Sequence, residues 1–273
     1  MPWSLPLLPP ALREIWIDAG DQLSSVADLP GLAALAPPDI VLELDPDSWV
    51  RGNDGAVSVH IDASLLAERD RSTVGVLQRD LHLHAGVAVH ENFGLDPHWQ
   101  GALRGRRALC SAVTLYLALG LERVELDAAD AGAYVWARCG FDFADDQSRE
   151  EVIQGAETLL RRLDLEAELE QIRHPWDFSR ITTKVSLTQL AGALEDRPPL
   201  LDLGALGDPS TQIGLGKALL LAGDHAGWRG ALDLSASSQG LVQLARYAGL
   251  NGTANSEASV FHTAVDAESV SSR

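Results

Sequence analysis

Apolar and β-branched positions alternate with polar ones at Ile40 to Leu44 and again at Ala56 to Ile61, the second run following the turn sequence Gly52-Asn53-Asp54-Gly55. Side chains that share a face at every second position mark half-buried strands, and the turn residues join the two runs as a hairpin. Alternation returns at Val74 to Leu83 and at Gly86 to Leu95. The last run stops at Asp96-Pro97, where proline has no amide to continue a ladder. At Arg106 the period changes: Leu109, Ala112, Val113, Tyr116 and Leu119 recur at helical spacing, and Gly120 is placed to cap the helix. A short buried strand over Arg123 to Ala128, a short helix over Ala133 to Cys139 and a strand start at Phe141 to Phe143 follow. The order is strand, loop, helix, strand, helix, strand.

Beyond this block the pattern is mostly helical. Ser148 with Glu151 forms a capping box, followed by the apolar face Val152, Ala156, Leu159, Leu160 and Leu163, running on to Ile172. Weaker helical periods lie over Ser186 to Leu194 and Ser210 to Ala222, and Gly230 to Leu234 offers a late strand. Proline clusters make the first 40 residues an irregular lead-in around the helix-compatible Ala11 to Asp18, and residues 251–273 read as a disordered polar tail. These elements imply a single α/β (α+β) domain over residues 1–250. Its core spans about 40–145, with a helical elaboration over 146–250.

Composition narrows the setting. Over 273 residues, 46% hydrophobic content is enough for a substantial core. No apolar run reaches the roughly 18 residues of a membrane span, and the opening lacks the basic start of a signal peptide. A cytoplasmic protein without membrane contact is expected. Cys110 and Cys139 sit among apolar residues and read as core thiols of a reducing compartment. The formal charge is −18, yet it is uneven: residues 1–70 hold twelve acids against three arginines, residues 71–110 three acids against five arginines. Overall acidity disfavours nucleic acid as a partner, because phosphate neutralisation needs clustered cations. It suits a cationic or neutral small acceptor.

The locally basic stretch carries the chemistry. From Phe93 to Gly105 a strand ends and a helix begins. Unpaired amides at a helix N-terminus attract a phosphate, and small residues let it approach. Gly101, Ala102 and Gly105 give that access, while Arg104, Arg106 and Arg107 add positive charge. The same residues also read as a glycine-containing turn before a helix with a basic first turn.

Gln100 and Gly105 stand at the two ends of a pattern of Gln or Arg, two residues, Gly, one residue, then Gly or Ala. This stretch resembles the acetyl-CoA loop of the GNAT superfamily of acyl-CoA-dependent N-acetyltransferases. Leu95-Asp96-Pro97 is similar to the strand end before that loop, and Leu119 to Leu126 to the helix exit and following strand. Tyr134 to Phe141 is similar to the family's closing helix and Gly-Phe. The likeness covers roughly residues 56 to 145. Two positions depart from the pattern: Leu103 replaces the middle glycine, and Trp136 stands where many members place the tyrosine that protonates the departing thiolate.

The resemblance implies a mixed, bent central sheet flanked by helices. It implies acetyl-CoA or another acyl-CoA bound by Leu95, Gln100, Gly101, Ala102, Leu103, Arg104, Gly105 and Arg106, and an amine that attacks the thioester directly. His90 and Glu91, on the strand flanking the thioester, are the candidate bases. Alternation sends them to opposite faces, so at most one reaches the site. Tyr134, two residues from the position of Trp136, is the candidate acid. A small-molecule or peptide amine is the expected acceptor. The competing expectation is a GNAT-fold binding or regulatory protein in which Leu103 and Trp136 mark lost chemistry.

Other clusters are weaker. His82 and His84 share a strand face but show no third ligand, so no metal is expected. Gly214-Leu215-Gly216-Lys217-Ala218 lacks the spacing of a nucleotide loop and reads as helix. Arg173 to Asp177 reads as turn packing.

Overall fold

The computed structural model describes residues 8, 11–21, 25–37, 39–53, 56–100, 104–165, 172–194, 208–222 and 227–250. The fold is mixed α/β, with a central sheet flanked by helices. In chain order, helix α1 is Leu12–Asp21, followed by strands β1 (Ile40–Leu44), β2 (Trp49–Asn53), β3 (Ala56–Ala67), β4 (Thr73–His82) and β5 (Val87–Leu95). Then come α2 (Arg104–Ala118), β6 (Arg123–Ala128), α3 (Asp130–Arg138), β7 (Asp142–Phe143) and α4 (Asp146–Arg162). The rest comprises β8 (Lys184–Ser186), α5 (Leu187–Ala193), β9 (Gln212–Gly214), α6 (Leu215–Ala222), β10 (Trp228–Asp233) and α7 (Gln239–Ala248). No described helix is long and apolar enough to cross a membrane. The tail expected over 251–273 lies outside the described residues.

The chain forms two compact units, residues 1–125 with 233–273, and residues 126–232. This partition differs from the 40–145 and 146–250 segments read from the sequence.

In the first unit β3 is the organising strand. Its residues alternate from Ala56 to Leu65, with Val57, Val59, Ile61, Ala63 and Leu65 buried and the residues between them half-exposed, and Leu66 and Ala67 are buried as well. It pairs antiparallel with β1 through Ala63 to Ala67, with β2 through Ala56 to His60, and with β4 on its other side. The hairpin expected between Ile40 to Leu44 and Ala56 to Ile61 is formed instead by β2 and β3, and β1 pairs further along β3. Helix α1 lies against this sheet: a Cβ added at Gly20 would stand 2.7 Å from Val57 Cγ1. Trp16 on α1 is fully buried, and its Nε1 donates to the Pro30 carbonyl at 3.0 Å. Arg13 ties α1 to the end of α2 by donating to the carbonyls of Leu119, Gly120 and Leu83.

Helix α2 is buried continuously from Ala108 to Tyr116, Cys110 included. It ends as the sequence expects: Gly120 takes φ +68°, and Leu121 N–H returns to the Tyr116 carbonyl. Helix α7, held by an N-cap at Ser238 and by Gly249 at φ +72°, packs on α2.

In the second unit β10 runs between β6 and β7, and pairs antiparallel with β7. Helices α3 and α6 pack against the 3-10 turn Pro175–Arg180, whose Trp176 and Phe178 are buried. Two sequence expectations shift here. Helix α4 is capped by Asp145, whose carboxylate accepts Ser148 N–H at 2.7 Å, so the box does not begin at Ser148. An Asp three residues ahead of the Ser amide is an equally good acceptor and extends the helix backward. Residues 212–214, expected as helix, form β9, because the two-strand ladder with β8 supplies hydrogen bonds that a local pattern does not reveal.

Candidate functional site

The junction singled out in the sequence lies in the first unit, where β5 ends and α2 begins. Antiparallel pairing of β4 with β5 slips by one residue: Gln78 faces Asn92, while Arg79 faces His90. Glu91 is thus the extra residue of a β-bulge, a device that re-aims side chains and often borders functional sites. His90 points inward at 5% exposure, and Glu91 and Asn92 face solvent.

Beneath the bulge lies Arg79, only 3% exposed. Its Nη1 donates to the carbonyls of Gln78 at 2.7 Å and Asn92 at 2.6 Å, the two residues that face each other on one side of the slip. The guanidinium carbon sits 5.7 Å from the Phe93 ring centre. Arg79 Nε has no hydrogen-bond partner, and among the described residues no carboxylate forms an ion pair with this side chain. Burial lowers its pKa, but an arginine starts high enough to stay charged.

His90 Nε2 lies 2.9 Å from the Tyr116 hydroxyl on α2, with the rings edge to face. Burial, and then the Arg79 charge, hold His90 well below the ordinary histidine pKa. Burial pushes Tyr116 up to about 12, against the opposite pull of Arg79. Near neutral pH the cluster therefore holds one cation, a neutral imidazole and a neutral phenol.

A pH dependence follows from His90. Its pKa is depressed in the folded protein, so on acidification the unfolded chain binds this proton first. The stabilisation is complete above the unfolded pKa of about 6.5 and is lost as pH falls towards the folded value. His90→Asn is expected to flatten the fall in unfolding free energy between pH 7.5 and 5.5, by at most about 1.4 kcal/mol per pH unit. Urea titrations at matched pH read this directly, and parallel curves would rule out a buried neutral His90.

At the start of α2, several side chains expected to meet a ligand already have partners. Arg104 pairs with Asp39 at 2.8 Å and stacks over Trp99. Arg106 Nη1 donates to the Tyr247 carbonyl at 2.6 Å and lies over that ring. Gln100 Nε2 donates to the Leu95 carbonyl at 2.8 Å. Leu95 is the last residue of β5, opposite Gly75. Among the described residues Gly105 is open, since an added Cβ would meet only Phe93 Cε1, at 3.9 Å. Gly101, Ala102 and Leu103 lie outside the described residues.

The bulge thus turns Glu91 to solvent and His90 inward, and the Phe93 ring edge stands 3.9 Å from where a Cβ of Gly105 would lie. Tyr134 belongs to the second unit, on α3, half-buried with Arg138 5.8 Å from its ring centre. Trp136, edge-on to Phe141, fills the neighbouring position. Sequence reasoning missed Arg79. An arginine among alternating apolar residues, Leu77 and Leu81, was the available signal that a cation sits on the buried face. A cavity of about 670 Å³ lies in the second unit, and none of the residues expected to hold acyl-CoA lines it. No protein-family model matches the chain, and no curated protein matches it.

Proposed function

We propose that the chain is an acyl-CoA-dependent N-acyltransferase acting on a primary amine, working at the junction of β5 and α2. The observation that carries this reading is the bulge at Glu91 followed by an open first turn of α2 at Gly105. A helix of 15 residues gathers partial positive charge at that turn, and the missing side chain leaves its amides approachable. Acyl-CoA, when bound, supplies the activated acyl group.

The chain's residues do the rest. Gly105 and the first-turn amides hold the diphosphate, with Arg104 and Arg106 adding charge from positions fixed by Asp39 and Tyr247. Backbone amides of β5 at the bulge orient the thioester and meet the developing oxyanion. Glu91, exposed on the bulge, accepts the ammonium proton directly or through water. His90, buried and neutral against Tyr116, holds the strand in register rather than reaching the amine.

Calorimetry with CoA tests the reading. Saturable binding is expected, with thermal stabilisation growing with ligand concentration as mass action requires. Gly105→Glu places a carboxylate against the diphosphate and should weaken binding at least tenfold. It has room at this position and glutamate is a better helix former, so the fold should be unharmed. Unchanged affinity in this variant would remove the proposed site. The second reading, a GNAT-fold binding protein without transfer, is favoured by the engagement of Arg104 and Arg106. Absence of any response to CoA would select it.

A further inference from the structure

We propose that the cavity of the second unit binds a small aliphatic amine in its ammonium form, between Asp127 at the end of β6 and Glu151 on α4. Every residue involved lies within 126–232, and the inference does not rest on acyl transfer. At about 670 Å³ the space falls within the range of small-molecule sites. Small residues, Ala128, Ala129 and Gly155, keep it open between α4 and the start of β10.

The walls are fixed before any ligand arrives. Ser148, 5% exposed at the start of α4, accepts Arg229 N–H at 2.9 Å and donates back to the Arg229 carbonyl at 3.3 Å. This reciprocal pair joins helix to strand. Trp228, 4% exposed, contributes a wall, its indole held by an N–H bond to the Ala133 carbonyl at 3.3 Å and by edge contact with Phe143. Such a ring accepts the methylene chain of an amine and attracts its charge.

Charge decides the ligand's sign. Among the described residues the charged lining is Asp127, Asp145, Glu151 and Arg229. Asp145 accepts both Ser148 N–H and Arg229 Nη1, the latter at 3.0 Å, and so neutralises the cation and the positive end of α4 together. Among the described residues no lining cation is left to hold an anion. Among the described residues Glu151 accepts a neutral amide, Gln147 Nε2 at 2.9 Å, and neither it nor Asp127 forms an ion pair. Asp127 and Glu151 therefore line the cavity with no cation paired to them among the described residues. Among the described residues no three ligating side chains converge to hold a metal, which favours an organic cation over a divalent one.

Titration calorimetry of the full chain at low salt, with putrescine and spermidine as probes, tests this. One saturable site is expected, with 1,4-butanediol and succinate silent. Asp127→Asn and Glu151→Gln, both at exposed positions where the fold should tolerate them, should each weaken binding at least fivefold and together at least twentyfold. Three results would overturn the proposal: no saturable binding, undiminished binding in the double variant, or binding of magnesium with the same dependence on both acids. The second would show amines gathering on the general acidity of the surface.

Discussion

Gly216→Ala is expected to destabilise the second unit by about 3 kcal/mol or more, as severe overpacking does. Gly216 is the second residue of α6, where the helix crosses the 3-10 turn Pro175–Arg180. A Cβ there would stand 1.7 Å from the Phe178 carbonyl oxygen, 2.5 Å from its carbon and 3.1 Å from its Cα. These are backbone atoms, so no rotamer change can relieve the overlap. Phe178 is itself only 1% exposed and cannot withdraw without emptying the core around it. The neighbouring Gly214→Ala provides the control, since nothing lies within 4 Å of its added Cβ. Urea midpoints should separate the two variants clearly. Equal midpoints would mean that α6 and the turn stand further apart than described.

At the bulge, Arg79→Lys is expected to cost about 3 kcal/mol, more than the about 1–2 kcal/mol of Arg79→Met. Arginine is weakly hydrated, and its single Nη1 reaches two carbonyls at once. Lysine would bring a compact, strongly hydrated charge into a site where, among the described residues, no carboxylate pairs with it. Methionine orphans the same carbonyls but also removes a buried charge, and the two effects partly cancel. Unfolding of both variants in urea gives the order. If lysine were the better substitute, positive charge rather than the forked geometry would be what the bulge needs.

Local pattern carried much of the fold. Strand β1 appears over the residues that alternation marks, β6 over those read as a short buried strand, and α2 opens two residues before the expected start. The misses have physical causes. Strand β2 ends in Gly52 and Asn53, residues that favour turns, and only its pairing with β3 holds them extended. Helix α7 has a helical signal in the sequence, Leu241, Leu244 and Ala245 on one face between Ser238 and Gly249. At the site, alternation alone separates His90 from Glu91. The slip that makes Glu91 an extra residue depends on which residue of β4 it meets, and no single strand encodes that. The cluster of Arg79, His90 and Tyr116 joins β4, β5 and α2, so it exists only after tertiary packing.

The split course of the chain sets a schedule for its synthesis. Helix α2 emerges from the ribosome long before α7, the helix that packs on it, and Arg106 must wait 141 positions for the Tyr247 carbonyl. At about 5–20 residues per second, that interval lasts roughly 7 to 28 s. The second unit is continuous in sequence and can be completed within the interval, while the apolar surface that α7 will cover remains open on the nascent chain. The part begun first is thus the part finished last, and its exposure to chaperones and proteases is longest while residues 126–232 are being made.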